Sequence, residues 1–300
     1  MASCTADSKS TEVTRSAEGE VPPIVFASDR AGTGDLWLMD PDGGRQTRLT
    51  TIKGDESSPE WSPDGSRVAF VGRPTGNDDV YVVDADGGNL RQLTATAACE
   101  DTPTWSRDGQ QLVVASKVDC KDESSSLVLL NSNGKGEPKV VVKAPALWPD
   151  WSPDGQHLVY MAANSTGDDS VIVVSDPDGT NAQPLELPGI NTPSEPSWAP
   201  DSHRIAFVSP TNTYDHENPA DANEDLYLTD ADSTRVERVT TTAGNDHWPP
   251  AWAPDGTTLI YTSDGTEAKQ GDLMAVHLAS RKITRLTDTA TLEILADWRH

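Results

Sequence analysis

Three hundred residues, 35% apolar with a mean hydropathy of −0.54, suit many short, half-exposed strands better than one large helical core. The formal charge of −25 argues against nucleic acid as a partner, because phosphate backbones need Lys and Arg to displace counterions, and it opposes adhesion to anionic lipid. No apolar run approaches the roughly 18 residues needed to cross a bilayer.

In chain order, residues 1–22 are polar and lack an apolar h-region, so they are not an intact signal peptide. Met1-Ala2-Ser3-Cys4 resembles the end of a bacterial lipoprotein signal. Two readings stay open there: a lipidated Cys4 behind a trimmed leader, or an ordinary disordered terminus that tethers nothing. The folded unit is expected to occupy residues 23–300.

That unit is a repeat. Trp61, Trp105, Trp151, Trp198, Trp252 and Trp298 share a context and lie 44, 46, 47, 54 and 46 residues apart, close to one four-stranded propeller blade. Five copies run from Pro59 (PEWSPDG), Pro103 (PTWSRDG), Pro149 (PDWSPDG), Pro196 (PSWAPDS) and Pro250 (PAWAPDG). The sixth, Ala296-Asp297-Trp298, stops with the chain. Ser-Pro-Asp-Gly is a turn, since Pro presets φ and Gly tolerates the exit geometry. An alternating strand follows (Arg67 to Val71, Arg204 to Val208). Next come another strand (Leu36 to Met39, Val80 to Val83), a second turn (Asp40-Pro41-Asp42-Gly43) and a last strand ending in Leu-Thr. The first recognisable strand, Ile24 to Ser28, matches the strand after the tryptophan, and the last piece, around Trp298, matches the tryptophan strand alone. Joining them completes a blade from both termini. The expected fold is all-β, a six-bladed propeller of four-stranded antiparallel blades with no open edge.

W-[SA]-P-D-G, the I-A-F-type strand and the D-x-D-G…L-T ending together resemble the TolB-like, or WD-like, propeller repeat over residues 22–300. The TolB N-terminal α/β domain is not seen ahead of this repeat, which puts a direct role in the Tol–Pal system in doubt. What the resemblance implies is an exported protein, in the periplasm, at the cell surface or secreted, whose channel mouth or blade faces bind other proteins.

Residues that recur in most blades are read as structural: the six tryptophans, Asp64, Asp108, Asp154, Asp201 and Asp255 in the first turn, and Asp35, Asp79, Asp225 and Asp272 as caps of the preceding loop. Departures from the template are the candidates for function. Just before each tryptophan, an acidic rim of Glu56, Glu100, Asp101, Glu195, Asp246 and Glu293 with His247, Trp148 and Trp248 is expected to ring the channel mouth. Such a rim suits a basic peptide segment, a cation or a stacked sugar. The alternative, carboxylates merely solvated at loop tips, stands beside it.

The fifth blade carries an insertion from Pro210 to Asp225 with Asp215, His216, Glu217, Asp221 and Asn223. Asp221-x-Asn223-x-Asp225 resembles the start of a calcium loop, but Leu226 stands where an EF-hand needs Gly, so a plain binding loop is the stronger reading. Cys99 and Cys120 fall in connections on one face of the third blade, so a disulfide suits them and fits an oxidising compartment.

Catalytic signatures are missing: there is no G-x-S-x-G elbow, H-E-x-x-H, Walker loop or dinucleotide fingerprint. Oligogalacturonate lyases of related fold use a histidine-rich mouth and a metal, whereas this chain supplies one rim histidine, His247. The expectation is a monomeric, non-catalytic protein-binding platform without a cofactor. A carbohydrate-active lyase or hydrolase, or an oligosaccharide-binding protein, is the alternative, with calcium or another divalent cation as an option.

Overall fold

The computed structural model describes residues 23–300 except 75, 122–123, 144, 165, 168, 212–223, 233, 242–245 and 265–270, and gives the backbone alone for 246–248. The described residues contain no helix, and their twenty-four strands form six four-stranded antiparallel sheets. The first blade takes β1 (Ile24–Ser28), β2 (Asp35–Met39) and β3 (Thr47–Arg48) from the start of the chain and β24 (Glu293–Trp298) from its end. Ile24 faces Trp298 and Ser28 faces Glu293 across that junction, so the ring closes by strand exchange as the sequence predicts.

The second blade is β4 (Glu56–Trp61), β5 (Arg67–Gly72), β6 (Asp79–Asp84) and β7 (Arg91–Gln92). The third is β8 (Cys99–Trp105), β9 (Gln111–Lys117), β10 (Ser125–Asn131) and β11 (Lys139–Val142). The fourth is β12 (Ala146–Trp151), β13 (Leu158–Ala163), β14 (Ser170–Ser175) and β15 (Gln183–Pro184). The fifth holds β16 (Ser194–Trp198), β17 (Arg204–Pro210), β18 (Glu224–Asp230) and β19 (Val236–Arg238). The sixth holds β20 (Asp246–Trp252), β21 (Thr258–Ser263), β22 (Asp272–His277) and β23 (Lys282–Arg285). Strands β3, β7 and β15 on the rim are two residues long, which leaves little edge to recruit another chain.

There is no single core. Six apolar clusters each lie between two neighbouring blades, and the later blade contributes its tryptophan to each. Trp61, for example, packs with Val68, Phe70, Tyr81 and Val83 of its own blade against Val25, Ala27, Leu36 and Leu38 of the one before. Its neighbours repeat the arrangement, with Arg67 above the Trp105 ring at 4.7 Å and Arg204 above Trp252 at 4.9 Å. The template reading of these tryptophans as inter-blade packing holds.

The turn aspartates behave as expected. Ser62 Oγ donates to Asp64 at 2.7 Å and the Ser66 amide at 3.0 Å, which holds the Asp64 carboxyl down at about 2. The glycine of the second turn is required twice over. Gly179 has φ +81°, and a Cβ there would lie 2.0 Å from the Val141 carbonyl of the preceding blade.

Candidate functional site

All six innermost strands are bulged: their registers against β5, β9, β13, β17, β21 and β1 each shift just before the tryptophan. Three positions before the tryptophan, Ser58, Thr102, Trp148, Glu195 and Leu295 adopt left-handed φ between 46° and 54°; in the sixth strand that place is taken by Pro249. The bulges coincide with the wall of a central cavity of about 560 Å³ bordered by all six blades. Ser58, Glu60, Thr102, Trp148, Asp150, Leu295 and Asp297 line it beside the blade tryptophans. Two positions beyond each tryptophan, at the first-turn end, stand Pro63, Arg107, Pro153, Pro200, Pro254 and His300.

Of the residues expected at the channel mouth, the structure brings Trp148 into this cavity. Glu56, Glu100 and Glu293, expected at a solvated rim, instead lie 2%, 5% and 0% exposed. Glu56 and Glu293 are held by donors from the connections that lead into their strands. Glu56 accepts the Leu36 amide at 3.2 Å and the Ile52 amide at 3.1 Å, and it takes the Thr50 hydroxyl as well. Glu293 pairs with Arg30 of its own blade at 2.6 Å and accepts the hydroxyls of Thr289 and Thr291, in the connection from the sixth blade, at 2.5 and 3.0 Å. Burial pushes Glu56 and Glu100 up to about 7 despite these donors. Glu56 and Glu293 thus anchor the connections between blades. Asp101 is half-buried and accepts from Ser58 Oγ at 3.0 Å, joining the second and third blades. Glu195 is half-buried at its bulge. Asp246, His247 and Trp248 lie in β20, and their side chains are outside the described residues, as are Cys4 and the insertion's Asp215, His216, Glu217, Asp221 and Asn223.

Asp35, Asp79, Asp225 and Asp272, expected as loop caps, are buried and face the outer strand of their own blades. Arg48, Arg238 and Arg285 pair with Asp35, Asp225 and Asp272, and Thr50, Thr94, Thr240 and Thr287 accept the amide that follows each aspartate at 2.8–3.0 Å. Cys99 and Cys120 form the expected disulfide, with Cα atoms 5.1 Å apart, and Asn77 of the neighbouring blade lies against both sulfurs.

The residues that the rim expectation missed are Glu60, Asp150 and Asp297, one position before their tryptophans. Burial raises Glu60 well above the carboxylate range, and the charges of Asp150 and Asp297 add to that. Burial likewise raises Asp150 to about 6 and Asp297 to about 7. Their signal was present in the repeat: this position reads Glu, Thr, Asp, Ser, Ala, Asp from the second blade round to the first, while the tryptophan beside it does not vary.

Comparison with known proteins agrees with this geometry. Residues 22–168 match the Tricorn protease N-terminal beta propeller domain, and residues 125–299 match the TolB beta propeller domain. The chain is 27% identical over 267 residues to dipeptidyl-peptidase 5 of Porphyromonas gingivalis, across 86% of this chain but 37% of that one. It thus spans well under half the length of that relative. Among solved structures, TolB from Acinetobacter baumannii superposes with a TM-score of 0.76 at 18% identity, over 92% of this chain and 66% of that one. An oligogalacturonate lyase from Vibrio parahaemolyticus superposes at 0.58 and 14% identity, over 87% and 73%. The second of the two domain matches takes in more than half of the residues, including four of the six blade tryptophans, and by it the chain belongs to the TolB β-propeller family.

Proposed function

We propose that this propeller is a non-catalytic binding platform that works outside the cytoplasm and holds a protein segment at its central cavity. The observation that carries the reading is the cavity itself, bordered by all six blades, five of which bring both tryptophan and proline to its wall. Rigid apolar faces fringed by a few polar groups are what a protein anchor needs, because they cost little side-chain entropy on binding. Trp148 is the central contact of the proposed site, to which Asp101, Glu195, Asp246, His247 and Trp248 are also assigned; the buried Glu56, Glu100 and Glu293 take no direct part. The Cys99–Cys120 disulfide supports an oxidising compartment.

Capture from a native envelope extract tests this, with wild-type protein beside Trp148→Ala and Arg107→Glu variants whose folding is verified. A partner retained by wild type and lost by both variants is expected. Capture that ignores both substitutions would overturn the cavity as a protein site. A second reading, a carbohydrate-active enzyme, draws on the likeness to the lyase fold and the tryptophan-lined cavity. It requires product release from oligosaccharides that disappears on His247→Ala.

A further inference from the structure

In four of the six blades the residue before the tryptophan has an architectural task, accepting the tryptophan amide of the next blade. Asp297 does so for Trp61 at 2.7 Å, Glu60 for Trp105 at 2.9 Å and Asp150 for Trp198 at 2.6 Å. Thr104 performs the same task for Trp151 with a hydroxyl at 3.1 Å, and in the sixth blade the position is Ala251, which has no side-chain acceptor at all. A neutral acceptor therefore suffices for the clamp. Carboxylates at three of the six places cost stability, because they are desolvated and repel one another.

Among the described residues no ion pair joins these three carboxylates to an arginine or lysine of the cavity wall. Arg107, the wall's arginine at the first-turn end, donates to the Asp154 carbonyl at 3.1 Å, and burial disfavours the charged form of His300. A second observation points the same way. Thr102 lines the same cavity, is 8% exposed, and its hydroxyl has no hydrogen-bond partner. A buried hydroxyl left unpaired costs free energy unless a ligand supplies the missing bond.

We propose that the cavity is a receptor for a protonated alkyl amine, with Glu60, Asp150 and Asp297 as its counter-charges and the Thr102 hydroxyl as a further acceptor. An ammonium group has three donors and no acceptor, so the three carboxylates and the unpaired Thr102 oxygen on this wall suit it, while the unpaired indole N–H groups of Trp61, Trp151 and Trp198 leave their ring faces to its stem. The surrounding indoles suit its charge and its alkyl stem alike. The amine comes from a lysine side chain of a protein segment or from a free polyamine. The proposal deepens the reading of the cavity as a binding site and rests on it.

Calorimetric titration of the full chain with a short lysine peptide, its norleucine counterpart and 1,5-diaminopentane tests this. Wild type is expected to bind at least one amine and not the norleucine peptide. The Glu60→Gln, Asp150→Asn, Asp297→Asn variant, whose amide oxygens still accept the tryptophan amides, is expected to bind at least about tenfold more weakly. Thr102→Val, expected to weaken binding several-fold, serves as the second variant should the triple one not fold. Binding of the peptide alone assigns the amine to a protein, and binding of the diamine alone assigns it to a polyamine. Failure of both amines to bind, equal binding of the norleucine peptide, or unchanged binding by the folded variants overturns the proposal. A protein captured through Trp148 while no amine binds leaves the platform reading standing and removes this one. Amine binding without any captured protein does the reverse.

Discussion

A single threonine shows how much of each blade is held by one buried group. Thr240 Oγ1 accepts the Leu226 amide at 2.9 Å and donates to Asp225 at 2.9 Å, while Arg238 pairs with the same carboxylate. Thr240→Val keeps the shape and removes both bonds, leaving a buried amide and a carboxylate of zero exposure short of partners. The expected cost is about 1–3 kcal/mol, read as a lower urea midpoint with an unchanged slope. A variant as stable as wild type would mean the threonine is only a strand end. The sequence showed both halves of this lock without their connection. The aspartate recurs, and so does the ending in Arg48-Leu49-Thr50, Gln92-Leu93-Thr94, Arg238-Val239-Thr240 and Arg285-Leu286-Thr287. The link spans two antiparallel strands, so a reading that asks what each residue does locally assigns the aspartate to its own loop.

At the scale of the element, the innermost strand departs most from what its residues suggest. Its proline and tryptophan fix the blade period, and that much was legible. The bulge was not, because left-handed backbone is normally announced by glycine, and here it is occupied by Ser58, Thr102, Trp148, Glu195 and Leu295. Their place just before each tryptophan suggested that the rim glutamates ring the channel mouth; with the bulge, Glu56, Glu100 and Glu293 are buried and the lumen is lined by their successors. Thr102 pays most for this geometry, since a β-branched residue at φ 46° is strained and its hydroxyl is unpaired. Thr102→Gly removes the strain and the orphan group together, at the expense of chain entropy. The expected result is a net gain of about 1 kcal/mol, seen as a rise of roughly 2–4 °C in the thermal midpoint. A drop in the midpoint would show that the threonine methyl packs well enough to outweigh both.

The whole ring also stores titratable groups, and their sum sets how stability depends on pH. Glu56, Glu100 and Asp297 are raised to about 7, Asp150 to about 6, and Glu60 is raised as well, all by burial first. Between the ordinary carboxylate range near pH 4 and about pH 7, the folded chain therefore holds protons that the unfolded chain has released. Stability must fall as pH rises through that window, and the loss is complete above it. His300 opposes the trend, because its lowered value keeps the folded ring neutral while the unfolded one charges, but it is one group against these five and against Asp79, Asp101 and Asp225, which burial raises as well. The turn carboxylate of Asp64, held at about 2, titrates below the window and makes only the acid limb steeper. The thermal midpoint is thus expected to decline from pH 5 to pH 8, and the Glu60→Gln, Asp150→Asn, Asp297→Asn variant is expected to flatten the slope. The net charge of −25 also repels more strongly as pH rises, but that contribution is spread over the surface and is screened by salt. Repeating the profile in 1 M salt separates the two. A decline that survives salt and shrinks in the variant belongs to the buried carboxyls of the ring; one that salt abolishes belongs to the surface, and the lumen would then be better hydrated than its burial implies.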